Sequence, residues 1–325
     1  MVSVYPESGR VAWITALRPP RAPVRADTAH AWFRETERDA AGAPAATAVV
    51  LLTNRECPWR CLMCDLWRHT LPDTVPPGAL PGQLRAALAD LAFAPDQIKL
   101  YNSGSFFDPA AVPPGDHAAI AAAVRGIPRV VVECHPRLVG PVVPAFRDRL
   151  AGGALEVALG LETIHPAVLP RLNKQFTLRD FDRAAEYLAA RGLGLRVFVL
   201  LRPPFQSESE GLEWAVRSAE YAFTRGATVV SLIPTRPGNG ALDRLQAAGE
   251  FAPPRLATLE RALEAALALP ARLAAPGRRA FADTWDLGGF AHCAACLPAR
   301  QARLAAMNAT QTIPPPVACP VCGEP

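Results

Sequence analysis

The stretch Thr53-Asn54-Arg55-Glu56-Cys57-Pro58-Trp59-Arg60-Cys61-Leu62-Met63-Cys64-Asp65 decides how the rest of the chain is read. It follows directly on the apolar run 46–53 and carries three cysteines in the spacing Cys-x3-Cys-x2-Cys. Three thiolates on one loop can each hold one iron of a [4Fe-4S] cube. The remaining iron then has no protein ligand, much as catalytic zinc sites keep one position for substrate. A zinc loop and three unrelated cysteines are the competing readings of Cys57, Cys61 and Cys64.

Working outward from this loop, apolar runs rich in Val, Leu and Ile recur at 46–53, 98–101, 130–133, 155–159, 195–201 and 228–234. Segments with helical spacing separate them, at 82–92, 118–125, 144–151, 178–191 and 210–224. Strands without polar alternation are buried on both faces, and their alternation with helices implies parallel pairing through right-handed crossovers. Six such units are too few for a closed eight-stranded barrel. The expected fold is α/β, a partial (β/α)6 barrel with chemistry at the carboxyl ends of its strands. The expected division is an N-terminal extension over 1–45, the partial barrel over 46–240, and a C-terminal helix with a cysteine-rich, metal-binding tail over 241–325. The extension reads as irregular, with one polar helical stretch near 31–39. The tail reads as a long helix over 254–269 and a short strand near 279–284.

Composition limits the function class. Of 325 residues half are hydrophobic and 20% are charged, which supports a large core and argues against disorder. No apolar run reaches the ~18 residues of a membrane helix, and residues 7–17 make a poor secretory signal. A soluble protein of the reducing cytoplasm is expected. The net charge of +4 is too small to announce a nucleic-acid surface by itself. Lys99 and Lys174 are the only lysines, every other cation being arginine. Either chance left them, or the position needs a titratable amine.

Seven of the eight cysteines fall in tight clusters, which favours metal ligation over disulfides in a reducing compartment. The second cluster pairs Cys293-Ala294-Ala295-Cys296 with Cys319-Pro320-Val321-Cys322. Two such knuckles can wrap one tetrahedral ion closed to substrate, a structural Zn2+, with a second, auxiliary Fe-S cluster as the alternative. Arg300, Arg303, Asn308 and Gln311, between the knuckles, read as a solvated face compatible with contact to nucleic acid.

Cys-x3-Cys-x2-Cys after the first strand of a β/α series resembles the signature of the radical S-adenosylmethionine (SAM) enzymes. Met63 stands where that signature often has an aromatic residue. The resemblance implies that the open iron binds the amino and carboxylate groups of SAM and that an electron from the cluster cleaves it to a 5′-deoxyadenosyl radical. It further implies an electron donor such as flavodoxin or ferredoxin, and SAM contacts from Asn102, Ser103, Gly104 and Ser105 after the second strand. Glu133 and Glu162 are expected on the same rim against SAM, with Arg202 as counter-ion to Glu162 or to the SAM carboxylate. A Glu–Arg pair that only holds the barrel is the plainer alternative. Lys174 is read as a phosphate or carboxylate contact, a proton donor, or a solvated loop lysine. Cys134 is read as a small buried hydrophobe or as a donor to a product radical.

Segments 57–67, 102–108, 160–163, 172–177, 201–205 and 231–236 narrow the match. They resemble the archaeosine-synthesis radical SAM proteins, of the elongator- and methylthiotransferase-like branch, over roughly residues 46–260. That resemblance implies hydrogen abstraction from a lysine adduct of a deazaguanine base in tRNA, followed by lyase-type C–N cleavage. A radical SAM enzyme on a small molecule or peptide, and a non-catalytic zinc protein, are the alternatives.

Overall fold

A computed structural model describes residues 3–323. Helix α1 (Arg10–Ala16) precedes a hairpin of β1 (Ala31–Arg38) and β2 (Pro44–Leu51). Helices and strands then alternate through α2 (Ala79–Leu91), β3 (Gln97–Tyr101), α3 (His117–Ala123), β4 (Arg129–Cys134), α4 (Val142–Arg147) and β5 (Ala154–Glu162). The series continues with α5 (Leu178–Ala189), β6 (Gly194–Leu201), α6 (Glu208–Thr224) and β7 (Val229–Pro234). After these come α7 (Ala241–Ala247), α8 (Leu256–Arg272), β8 (Arg279–Ala282) and α9 (Leu297–Thr310).

One eight-stranded sheet runs in sequence order from β1 to β8. Strands β2 to β8 pair in parallel, and β1 pairs antiparallel to β2. All six expected runs are strands of this sheet, and β8 lies where a short strand was expected. The stretch near 31–39 is not helical: β1 pairs with β2 along its whole length, from Ala31↔Leu51 to Arg38↔Pro44. Trp32, Phe33 and Thr36 favour extended backbone. The charges that suggested a polar helix lie at alternate positions, so Glu35 and Glu37 share one face of the strand.

Alternation also divides the sheet's two faces. On β4, Val130 and Val132 join the apolar layer beneath the helices, with Leu84, Phe146 and Phe181. Each wholly buried Phe in that layer contributes about 1.5–3 kcal/mol. Helices α5 and α6 begin at capping boxes, Thr177 with Asp180 and Ser207 with Glu210, so each helix enters the layer at a fixed point.

The concave face is charged near the amino ends of the strands. Arg196, on β6 and 1% exposed, donates to Glu37 at 2.9 and 2.8 Å and to Glu156 at 2.7 Å. Lys99 reaches Glu37 at 2.5 Å and also pairs with Glu35, and Gln97 donates to Glu37 at 2.9 Å. Burial alone would raise the Glu37 carboxyl, but Arg196 and Lys99 outweigh it and hold it well below the ordinary value. These groups form a floor of paired carboxylates beneath the barrel, beside Arg279, whose Nε is buried with no partner among the described residues.

The tail packs back onto the sheet. Helix α8 lies on α6 and β8, and α9 lies on α8, β1 and β8. Arg300 and Arg303 do not face solvent or a polyanion. They are 2% and 6% exposed, and both pair with Glu260 of α8, with Arg303 reaching Glu264 at 2.6 Å. Asn308 and Gln311 are also committed, to the outer edge of β8. Asn308 accepts from Ala282 N at 2.9 Å and donates to Ala282 O at 2.8 Å; Gln311 does the same for Ala280 at 3.0 and 2.9 Å. Among the described residues no helix is long and apolar enough to cross a membrane.

Candidate functional site

The cysteine loop leaves β2 at its carboxyl end and is anchored by distant parts of the chain. Leu62 N donates to Leu172 O at 2.9 Å, and Asn173 donates to Arg60 O at 2.7 Å. Asn239, after β7, donates to Leu62 O at 2.8 Å and Cys64 O at 3.2 Å. Leu62 is fully buried among Tyr5, Ile14, Leu242 and Leu245, so the N-terminal segment covers one side of the loop. Glu56 gathers Arg18 at 2.7 Å, Arg60 at 3.2 Å and Arg21 just before Cys57. Burial raises all three thiols: Cys57 to about 11, Cys64 to about 12 and Cys61 well above the ordinary value. Burial thus favours the neutral thiols, and binding a metal centre is what converts such groups to thiolates.

Across from the loop, Lys174 pairs with Glu162. Both lie over Gly160, where an added Cβ would collide with Lys174 Nζ and Glu162 Oε1. A bulge in the β5–β6 pairing between Gly160 and Glu162 turns the glutamate onto this rim. Burial would lower the Lys174 amine, but Glu162 and the sulfurs of Cys61 and Cys57 keep it raised and charged. Its charge in turn favours the thiolate forms of Cys57 and Cys61. Lys174 is therefore neither a solvated loop lysine nor remote from the cysteines.

Strand β3 ends beside the same loop. A Cβ on Gly104 would come 3.1 Å from Cys57 Cβ, so glycine is what permits this close approach. Glu133 accepts from the Asn102 and Gly104 amides, the latter at 3.2 Å. Burial raises its carboxyl to about 7 despite those bonds and that of Ser103. Both side-chain amide atoms of Asn102 are buried with no partner among the described residues, as are Thr53 Oγ1 and Asn54 Oδ1. Buried polar atoms are nearly always satisfied, so this concentration marks a place for a polar ligand.

Two expected roles, those of Arg202 and Ser105, need correction, and Cys134 takes the plainer of its two readings. Arg202 is not the counter-ion of Glu162. It pairs with Glu208 and donates to Pro253 O at 2.9 Å, because its own backbone turns into the left-handed region at φ 52°. Ser105 is engaged by β4, accepting from His135 N at 3.3 Å and contacting Cys134 Sγ at 3.5 Å. Cys134 belongs to the apolar layer under the helices, with burial raising its thiol to about 12. It packs as a small hydrophobe on the face opposite to Glu133.

Sequence reasoning missed the brace joining loop and rim. Trp59, between two of the cysteines, stacks on His135 with centroids 3.6 Å apart and planes 7° apart. His135 Nδ1 accepts from Arg137 N at 3.2 Å, which leaves Nε2 to donate to Lys174 O at 2.9 Å. Burial holds this ring neutral, with a value near about 3. The motif Glu-Cys-His-Pro was visible, but its contact with Trp59 is made between segments far apart in sequence.

Left-handed backbone gathers at the same rim, at Ser103 (φ 54°), Glu162 (65°), Asn173 (54°), Gln175 (61°) and Phe205 (72°). Such conformations cost about 1–3 kcal/mol each and persist where the surrounding structure holds them, as ligand sites often do. Three cysteines on one anchored loop, a charged lysine beside them and unpartnered buried amides suit the chemistry of a thiolate-held cluster and a zwitterionic ligand. Cys57, Cys61 and Cys64 would hold the cluster.

The tail cysteines make a separate group. The Sγ atoms of Cys293, Cys296, Cys319 and Cys322 all lie within 4.8 Å of one another. The amides of Cys322 and Val321 lower the Cys319 thiol to about 7.

No protein-family model matches the chain. Over 226 residues, 66% of its length, it is 29% identical to archaeosine synthase subunit beta of Methanosarcina acetivorans. Over 129 residues, 38% of its length, it is 32% identical to archaeosine synthase subunit beta of Thermococcus kodakarensis. These matches span 65% and 40% of the two relatives. Among solved structures, a queuine lyase from Clostridium spiroforme bound to SAM and queuine aligns over 63% of this chain and 80% of its own, at 19% identity and a TM-score of 0.48. The resemblance read from the order of the motifs is borne out: the chain is similar in sequence to archaeosine synthase subunit beta.

Proposed function

We propose that the chain is a radical SAM enzyme that modifies a nucleobase of tRNA, with archaeosine-type C–N bond cleavage as its reaction. The observation that carries this reading is the convergence of Cys57, Cys61 and Cys64 with the unpartnered Asn102 amide and the Lys174–Glu162 pair at one end of the sheet. When bound, a [4Fe-4S] cluster and SAM supply reductive cleavage of the sulfonium to a 5′-deoxyadenosyl radical. The chain's own part is to hold, orient and shield. Cys57, Cys61 and Cys64 ligate the cluster, and Lys174 offsets the negative charge of their thiolates. Asn102, Ser103 and Gly104 present donors and a close-fitting backbone to SAM. Glu133, raised to about 7 by burial, and Glu162 suit its cationic amino group or ribose hydroxyls.

The tRNA assignment rests on the similarity to the two archaeosine synthase beta subunits. The test is anaerobic reconstitution with iron and sulfide, followed by reduction in the presence of SAM. Formation of 5′-deoxyadenosine supports the superfamily reading, and its absence from fully reconstituted protein overturns it. Consumption of a lysine–deazaguanine adduct in tRNA, with no turnover of small-molecule or peptide candidates, supports the substrate class. Salt-independent or absent tRNA binding sinks it, because phosphate contacts release counterions.

A further inference from the structure

We propose that Cys293, Cys296, Cys319 and Cys322 hold a single tetrahedral zinc ion, and that this ion, acting through α9, latches the outer edge of β8. The inference is independent of the function proposed above, since it concerns a different set of residues.

The spacing of the sulfurs selects a single tetrahedral ion over a cluster. Cys293 and Cys319 are 3.9 Å apart and Cys296 and Cys322 are 4.0 Å apart, with all four within 4.8 Å. A Zn–S bond of about 2.3 Å places tetrahedral sulfurs about 3.8 Å from one another. A [4Fe-4S] cube puts every cysteine on its own iron and spreads its ligands wider than that. Zinc, with no geometric demand of its own and a preference for thiolate and imidazole, suits so close a set.

The surroundings are built for thiolates rather than thiols. Arg300 Nε donates to Cys296 Sγ at 3.4 Å, and the Val321 and Cys322 amides donate to Cys319. Arg300 is 2% exposed, and a guanidinium is not brought to a buried neutral thiol without cause. As Zn2+ enters, the four thiol protons leave, and the centre carries a net charge of −2. Arg300 offsets part of that charge at Cys296, and Glu260 fixes the guanidinium in place.

The same residues carry the latch. Cys296 immediately precedes α9, and Arg300 and Arg303 follow at one-turn intervals, pinned to Glu260 and Glu264 of α8. Arg303 also donates to Pro314 O and Pro315 O at 2.7 Å, guiding the returning chain towards Cys319. Further along α9, Asn308 and the following Gln311 supply the four amide bonds to Ala280 and Ala282 of β8. The ion thus ties the start of α9 to the returning chain, and α9 occupies the strand edge.

The test uses the full chain, purified anaerobically, beside Cys57→Ser/Cys61→Ser/Cys64→Ser. Both should contain about one zinc per chain, the triple variant with no iron or sulfide. Iron retained by the triple variant, with or without sulfide, or no metal in it, overturns the zinc assignment. Amide exchange at Ala280 and Ala282 is then followed as zinc is stripped from the wild type by a chelator and restored with Zn2+. Exchange should rise at least roughly tenfold on stripping and return on reloading, with β4 and β5 unchanged. Exchange that ignores zinc removal overturns the latch. The strip-and-reload cycle keeps the test valid where Cys293→Ser/Cys319→Ser fails to fold.

Discussion

The chain's two lysines sit at opposite ends of the barrel, each buried against a glutamate, and the two settings differ. At the floor, Lys99 joins a network in which Glu37 takes bonds from Arg196, Lys99 and Gln97, and its backbone is ordinary strand. At the rim, Glu162 lies at a bulge and Lys174 on a loop among left-handed residues, beside three cysteines and an Asn102 amide with no partner among the described residues. A network in which each buried carboxylate is answered by a cation is framework. An incomplete one beside strained backbone is where a ligand finishes the structure. The lysines that looked alike in the sequence therefore have different work.

The sharpest way to break that contrast is at the rim. Cys61→Ser should abolish 5′-deoxyadenosine formation from SAM while the protein stays folded with its tail zinc; product from that variant would detach Cys61 from the cluster. The floor should answer differently. Arg196→Met leaves Glu37 and Glu156 short of their buried partner and should cost roughly 3–5 kcal/mol in denaturant unfolding. A loss below about 1 kcal/mol would mean that water reaches the floor.

Lys174→Met should slow SAM cleavage roughly 10–100-fold, as removal of an outer-shell partner does, with a smaller stability loss than Arg196→Met. Lys174→Arg should not restore it fully, because a planar guanidinium cannot reproduce the compact amine packed between Gly160 and Glu162. A full rescue would reduce the site to simple charge.

The floor also sets an acid limb. Burial pushes Glu37 upward, but Arg196 and Lys99 outweigh it, so its folded value lies below the ordinary 4.5. Its stabilisation is then fully present above about pH 4.5 and is lost as pH falls through the folded value, where the unfolded chain binds the proton more readily. Unfolding midpoints taken downward from about pH 6 should steepen below about pH 4.5, and Glu37→Gln should flatten that limb. The smallest effect belongs to the tail: Asn308→Ala should cost about 1–2 kcal/mol and speed exchange at Ala282.

The parts of this arrangement legible in the sequence are those written in local pattern. The cysteine spacing, the six apolar runs and the glycine beside the loop needed no knowledge of distant partners. What was hidden depended on them. Glu37 and Arg196 meet across 159 residues, so β1 read as a polar helix until its glutamates had a floor to face. Arg300 and Arg303 read as a solvated face because Glu260, about 40 positions earlier, gives no local sign of facing them. The exchange of partners between Arg202 and Lys174 follows from a bulge and one left-handed residue, neither of which has a residue signature.

The amide heads of Asn308 and Gln311 have a wider consequence. The outermost N–H and C=O groups of a sheet are a ready template for a stranger's strand, and an open half-barrel cannot remove its last edge by closing on itself. Here two side chains imitate a neighbouring strand and take that template out of play. The helix that carries those two side chains begins at Cys296, so protection of the sheet's edge and the order of the tail belong to one element.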